Sequence, residues 1–311
     1  MKALISGITG QDGAYLAELL LSKGYAVYGI KRRTSTPNLW RLDALGLRDR
    51  ITLINGDMTD MSSLQYALDM CEPDEVYNLA AQSFVHASFD TPTTTFDVNA
   101  KGVINLLEAI RLTGWDIKFY QASTSEMFGG MQPESQNENT PFNPRSPYAV
   151  AKVAAHYATI NYREAYGLST SCGILFNHES PLRGEEFVTQ KIALAVKKIR
   201  AGKQDKLYLG NLNAKRDWGH AKDYVKAMML INQRGGEYVV ATGKTYSVRE
   251  FVEKAFSVYG MDYEDHVEVA NKFLRPLDVP VLCGDPTKIK EELLWEPTYT
   301  LDGMIEEMVR D

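Results

Sequence analysis

The chain has 311 residues, 44% of them hydrophobic, which is enough for a sizeable core and long for a single compact unit. Its net charge of −6 implies no strongly basic face and argues against nucleic acid as a partner. The three cysteines (Cys71, Cys172, Cys283) have neither disulfide nor zinc spacing; with no signal peptide and no apolar run near the roughly 20 residues of a membrane span, they point to a reduced, cytoplasmic protein without metal or membrane attachment.

Residues 3–6 read as a short apolar strand and residues 14–21 as a helix. Between them run Gly7, Ile8, Thr9, Gly10, Gln11, Asp12 and Gly13, with glycines as G-x-x-G-x-x-G. A tight strand-to-helix turn needs the backbone freedom of glycine, and the helix start offers free N–H groups to a pyrophosphate. At this position the pattern is the expected start of a dinucleotide-binding fold. Residues 25–30 form the second strand, followed by Lys31, Arg32, Arg33, Thr34 and Ser35. An NAD site usually carries an acidic residue here for the ribose 2′-hydroxyl. Three cations and two hydroxyls suit a 2′-phosphate instead, so the expected cofactor is NADP.

Residues 51–54 form a third strand ending at Gly56, Asp57 and Met58; Asp57 is read either as an adenine partner or as a cap for the helix from Met61. A fourth strand, 75–79, enters Leu79, Ala80, Ala81, Gln82 and Ser83, whose small residues let a cofactor lie against the strand end. A long helix is expected over 93–112 and a fifth strand over 118–121, with Ser123 to Glu126 just past its end, where ligands bind in open α/β sheets. The helix opened by Ser146 and Pro147 carries Tyr148 and Lys152, which lie on one face at a spacing of four. A phenol with a pKa of about 10 is a poor base at neutral pH. A neighbouring ammonium is expected to lower that value. With Thr124 as hydrogen-bond partner, this is machinery for removing an alcohol proton while its carbon loses hydride. Glu126 is an additional acid/base group that simple alcohol oxidation does not need.

A sixth strand spans 169–176, and the alternation of strands and helices predicts a parallel, doubly wound sheet of Rossmann type. Beyond it come a helix over 187–200, a strand over 207–210, a helix over 221–232, a late strand of the main sheet over 237–241 and a helix over 245–259. The expected division is a dinucleotide-binding domain of 1–176 plus about 217–242 and a smaller substrate lobe of 177–216 plus 243–311. The cations Arg183, Lys191, Arg216 and Arg275 in and around that lobe suit a diphosphate-bearing substrate.

Five segments carry a resemblance: 7–16, 77–83, 119–126, 173–181 (ending Asn177-His178-Glu179-Ser180-Pro181) and 214–219 (Ala214-Lys215-Arg216-Asp217-Trp218-Gly219). Through them the chain resembles, almost end to end, the extended short-chain dehydrogenase/reductase family, and within it the GDP-mannose 4,6-dehydratases. The resemblance implies that Thr124, Glu126, Tyr148 and Lys152 are catalytic. It implies that Gly7 to Gly13, Arg32 to Ser35, Asp57, Met58, Leu79 to Ser83, Tyr148, Lys152, His178 and Arg183 hold NADP. Ser83, Thr124, Glu126, Asn177, Lys191, Gly210, Arg216 and Arg275 would then bind the GDP-sugar. It also implies a homo-oligomer, often a tetramer, with the basic loop near residue 33 reaching a neighbour's cofactor. The implied reaction is oxidation at C4, removal of the C5 proton by Glu126, loss of the C6 hydroxyl as water, return of hydride to C6 and reprotonation of C5. Rival readings are dehydration of a GDP-heptose, a sugar-nucleotide 4-epimerase or 4-reductase, and a non-catalytic NADP-binding regulator.

Overall fold

The computed structural model describes residues 1–129, 135–270, 273, 277 and 279–310. Among these, one sheet dominates: β1 (Lys2–Ser6), β2 (Ala26–Lys31), β3 (Thr52–Asn55), β4 (Glu75–Asn78), β5 (Lys118–Thr124), β6 (Thr170–Leu175) and β7 (Gly236–Val240). Its order is β7-β6-β5-β4-β1-β2-β3 and every neighbouring pair is parallel. The alternation of side chains explains the burial of both faces. Ile5, Tyr77 and Tyr120 point into a cluster with Leu16 and Leu20 of the helix Gln11–Ser22 and Met228 of the helix Ala221–Arg234. Their chain neighbours Leu4, Val76 and Phe119 point into the opposite cluster, with Leu68, Leu106 and Ala155. A strand buried on both faces needs such a continuous apolar run. The direction of winding reverses between β1 and β4, and the crevice at that switch point is where a ligand belongs.

Two expected elements of the main sheet and the helices that cover it come out differently. β5 does not stop at Gln121: residues Phe119–Thr124 pair in register with Thr170–Leu175 of β6. Ser123 and Thr124 are therefore the last residues of the strand rather than the loop beyond it, because a buried neighbour extends pairing through a locally loop-like Ala-Ser-Thr. The expected helix over 93–112 is interrupted by a π-helical turn at Asp97–Lys101, between Pro92–Phe96 and Gly102–Thr113. Inside that turn Asn99 exchanges two hydrogen bonds with the backbone of Gln82, accepting from its N–H (2.8 Å) and donating to its carbonyl (2.9 Å). Such single-turn bulges recur at functional sites.

The smaller elements form short sheets. Asn177–Glu179 pairs with Trp218–His220, and Lys215–Arg216 lies between Tyr246–Ser247 and Val281–Leu282. The helix expected from residue 245 begins only at Val248, because Tyr246 and Ser247 are taken up as strand; Ser247 and Glu250 then form a capping box. A second apolar cluster joins Ile192, Leu209, Trp218, Phe251, Phe256 and Met304. Asp217 is fully buried, and its carboxylate gathers the N–H groups of Thr242 (2.9 Å) and Gly243 (2.9 Å) and the Thr242 hydroxyl (2.7 Å). Burial raises its pKa despite these bonds. It ties the end of β7 to the Lys215–Arg216 strand and so fixes the neighbouring Arg216. Among the described residues no helix is long and apolar enough to cross a membrane.

Candidate active site

The glycine turn forms a cradle. Gly7 has φ +71°, and a Cβ on it would stand 2.8 Å from the Ala80 nitrogen. A Cβ on Gly13 would stand 2.4 Å from the Gly7 carbonyl oxygen. Gly10 precedes the helix Gln11–Ser22 with no side-chain cap, which leaves first-turn N–H groups to an outside acceptor. They face a crevice of about 890 Å³. Of the expected cofactor residues, Gly7, Thr9 to Gly13, Arg32 to Thr34, Asp57, Met58, Leu79 to Ser83 and Arg183 line it. Ile8 and Ser35 do not, and Tyr148, Lys152 and His178 line the adjoining cavity instead. Ile8 is fully buried below the turn, where only glycine fits opposite it at position 29. Ser35 lies in the exposed loop outside the crevice wall. The helix-capping alternative for Asp57 also fails: Asp60 caps Met61–Cys71, while Asp57 accepts from the N–H and hydroxyl of Thr59 (2.9 and 2.8 Å).

His178 fastens the cradle from the far side. Its Nδ1 lies 2.7 Å from the Phe176 carbonyl and its Nε2 lies 2.8 Å from Asp12 Oδ2, with the ring stacked on Tyr224 at 4.4 Å. Both ring nitrogens face acceptors, which favours the imidazolium. Burial opposes that charge, but Asp12 outweighs it and the His178 pKa is raised. Burial likewise pushes the Asp12 carboxyl up, and the His178 charge and hydrogen bond, with Gln11 and Arg183, overcome it and hold the group at about 2.

Thr124, Glu126, Tyr148 and Lys152 are each 9% exposed or less and line one cavity of about 730 Å³ that shares Asp12, Leu79, Ala81 and Ser83 with the crevice. Thr124 ends β5, and Glu126 follows in the 3-10 turn Ser125–Phe128. Tyr148 and Lys152 stand in the first turns of Pro147–Tyr166, which Ser146 caps by accepting from the Ala149 N–H (3.1 Å). Burial pushes the Tyr148 phenol up to about 12; a Thr124 hydrogen bond pulls it down and the Glu126 carboxylate pushes it up. Burial pulls Lys152 down to about 8. The expected lowering by the lysine is not among the influences on the phenol: the ammonium is 5.9 Å from the Tyr148 ring centroid and donates to the Ala122 carbonyl (2.8 Å), and burial sets the direction of the shift.

A buried polar chain that sequence reading missed holds the lysine there. Ser6 Oγ accepts from the N–H groups of Leu79 and Ala80 (3.2 Å each) and donates to Asn78 Oδ1 (2.5 Å). Asn78 Nδ2 donates to Gln121 Oε1 (2.8 Å), and Gln121 Nε2 donates to the same Ala122 carbonyl (3.0 Å) that accepts from Lys152 Nζ. Ser6, Asn78 and Gln121 stand on three different strands of the sheet, far apart in the chain, so no local pattern could reveal them.

Of the expected substrate residues, Ser83, Asn177, Lys191, Gly210 and Arg216 line the cavity that holds Glu126. Lys191 Nζ donates to the Tyr208 carbonyl (2.6 Å), and Arg216 Nη1 donates to the Val279 carbonyl (2.7 Å). Arg183, Lys191 and Arg216 therefore converge, whereas Arg275 lies outside the described residues. Phe84, Phe187 and Arg41 are wall residues with no signal in the sequence; Arg41 donates to the carbonyls of Thr9 (3.2 Å) and Leu182 (2.7 Å) across the crevice.

A parallel sheet wound in this order, with a tyrosine–lysine helix beside the cofactor crevice, makes the protein an extended short-chain dehydrogenase/reductase. Solved structures of like fold include the Thermus thermophilus UDP-glucose 4-epimerase in complex with NAD (TM-score 0.86, 26% identity, 100% of this chain and 98% of that one). Another is the dTDP-glucose 4,6-dehydratase of Bacillus anthracis in complex with NAD (TM-score 0.86, 24% identity, 100% and 96% covered). Sequence comparison is narrower. The GDP-mannose 4,6 dehydratase family model matches residues 4–308. GDP-mannose 4,6 dehydratase 1 of Arabidopsis thaliana is 51% identical over 319 residues, covering 99% of this chain and 88% of that protein. The Homo sapiens GDP-mannose 4,6 dehydratase is 48% identical over 334 residues, covering 99% and 90%. The chain belongs to the GDP-mannose 4,6-dehydratase family.

Proposed function

We propose that this protein dehydrates GDP-mannose to GDP-4-keto-6-deoxy-mannose, with NADP as a recycled cofactor. The observation that carries the reading is Glu126 in one cavity with Thr124, Tyr148 and Lys152, against the crevice with the glycine cradle. A nicotinamide held in the crevice would supply reversible hydride storage, so no net redox would occur. Tyr148 Oη takes the proton of the C4 hydroxyl, with Thr124 bonded to the phenol and Lys152 supplying positive charge nearby. Glu126 removes the C5 proton, which the 4-keto group has made acidic, and then protonates the departing C6 hydroxyl; once hydride is back on C6, C5 is reprotonated. Arg183, Lys191 and Arg216 take the diphosphate. A 4-epimerase or 4-reductase needs no C5 base, and a regulator needs none of the four groups.

The GDP-mannose reading is supported by the family, and the NADP reading by the crevice wall after β2, where Arg32, Arg33 and Thr34 stand without a carboxylate. Arg33→Ala is expected to weaken NADP binding about ten- to a hundredfold, the worth of a charge-assisted phosphate contact, and to leave NAD binding nearly unchanged. Titration of the variant with both cofactors checks this. We also take the protein to be a cytoplasmic homo-oligomer. Its free Cys71 and Cys172 are buried, and Ile104, Leu112, Val150 and Tyr157 are exposed on the packed helices Gly102–Thr113 and Pro147–Tyr166. The lobes are 1–176 plus about 217–242 and 177–216 plus 243–311, with the helix Thr287–Leu293 adhering to the larger through Ile289.

Incubation with NADP and GDP-mannose, followed by product mass, tests the activity. Loss of one water without accumulation of NADPH is expected. An unchanged mass would refute it and turn attention to GDP-heptose.

A further inference from the structure

The crevice and the catalytic cavity meet at two half-buried aromatic rings. Phe84 and Phe187 line both spaces and touch edge to face, with centroids 5.7 Å apart at 79°. They come from opposite walls. Phe84 follows the strand end of β4, in a segment held by the two-way bond of Gln82 to Asn99 and by Gln82 Nε2 donating to the Phe84 carbonyl (2.9 Å). Phe187 closes the turn after Asn177–Glu179, its N–H donating to the Gly184 carbonyl (3.1 Å). The Arg183 guanidinium lies 3.6 Å from the centre of its ring and pairs with the buried Glu179 (3.0 Å), which accepts from Thr189 Oγ1 (2.6 Å). Each ring is thus carried by a separately anchored loop, and their contact joins the two walls over the junction of the cavities.

We propose that Phe84 and Phe187 are a clasp that retains the dinucleotide during turnover. The reaction stores hydride between its first and last steps, so a cofactor that leaves early strands the sugar as an oxidised intermediate. A single edge-to-face contact suits this task. It is strong enough to slow escape and weak enough to open without unfolding either loop. This inference rests on the reading that the crevice holds a nicotinamide dinucleotide phosphate.

The test is the release rate of NADPH, followed by fluorescence after mixing the loaded protein with excess NADP. Phe84→Ala and Phe187→Ala are each expected to speed release roughly two- to tenfold, the worth of an aromatic pair. The double variant should release little faster than either single one, because the same contact is lost once. Phe84→Leu and Phe187→Leu, which keep apolar bulk, give the same comparison should an alanine variant unfold. Unchanged release with a raised KM for GDP-mannose would overturn the clasp and make the rings part of the sugar pocket. Additive effects of the two substitutions would also overturn it. If the unaltered protein binds NADH but not NADPH, the NADP reading fails on its own, and NADH release in the same variants decides the clasp.

Discussion

Glu126→Gln is expected to cut formation of the dehydrated sugar about 10²- to 10⁴-fold, the usual worth of a positioned general acid or base. The amide is close in size to the carboxylate, and the side chain is buried in the turn after β5, so packing should survive. What is lost is the group that removes the C5 proton and returns a proton to the leaving hydroxyl. Because Thr124, Tyr148 and Lys152 remain, oxidation at C4 should still occur in part. Reduced nicotinamide should therefore appear in the variant and persist, whereas none should accumulate with the parent protein. In deuterated water, incorporation at C5 should be seen with the parent and be absent with the variant. Full product formation by Glu126→Gln would refute the assignment.

Tyr148→Phe should fall by a similar factor, about 10²- to 10⁴-fold, but at the earlier step. No reduced nicotinamide should form, because the C4 hydroxyl keeps its proton. The two substitutions thus give opposite absorbance signals from nearly equal losses of product. The pair also sets a pH dependence. Burial lifts the phenol to about 12 and drops the lysine to about 8. The first proton to leave the pair does so near 8, and it belongs to the pair rather than to either group. Since the form lacking that proton is the base, C4 oxidation should rise as pH rises through about 8 and level off above it. Lys152→Met should carry this limb upward, towards the phenol. A parent rate flat across that range would show that the pair is not the base.

Glu126 and the Tyr148–Lys152 pair were legible because their logic is local. A spacing of four places two side chains on one helix face whatever the rest of the chain does, and a glycine turn between strand and helix constrains its own backbone. The family motifs extended this to Asn177, Lys191 and Arg216, which line the same cavity as Glu126. The upward shift of the phenol was not legible because it comes from burial, which local sequence does not report. Thr124 read as loop because its pairing partner, Leu175, lies 51 residues on.

By itself the sequence determined the doubly wound sheet and the glycine cradle and marked the residues proposed as acid and base, all consequences of periodicity, backbone freedom or side-chain chemistry over a few residues. Tertiary structure alone decided how these groups are held. The Ser6–Asn78–Gln121 chain behind Lys152, the Asp12–His178 pair across the crevice and the Phe84–Phe187 contact each join segments far apart in the chain. Such contacts exist only once parallel pairing brings the strand ends together, and it is burial there that sets the proton affinities the reaction uses.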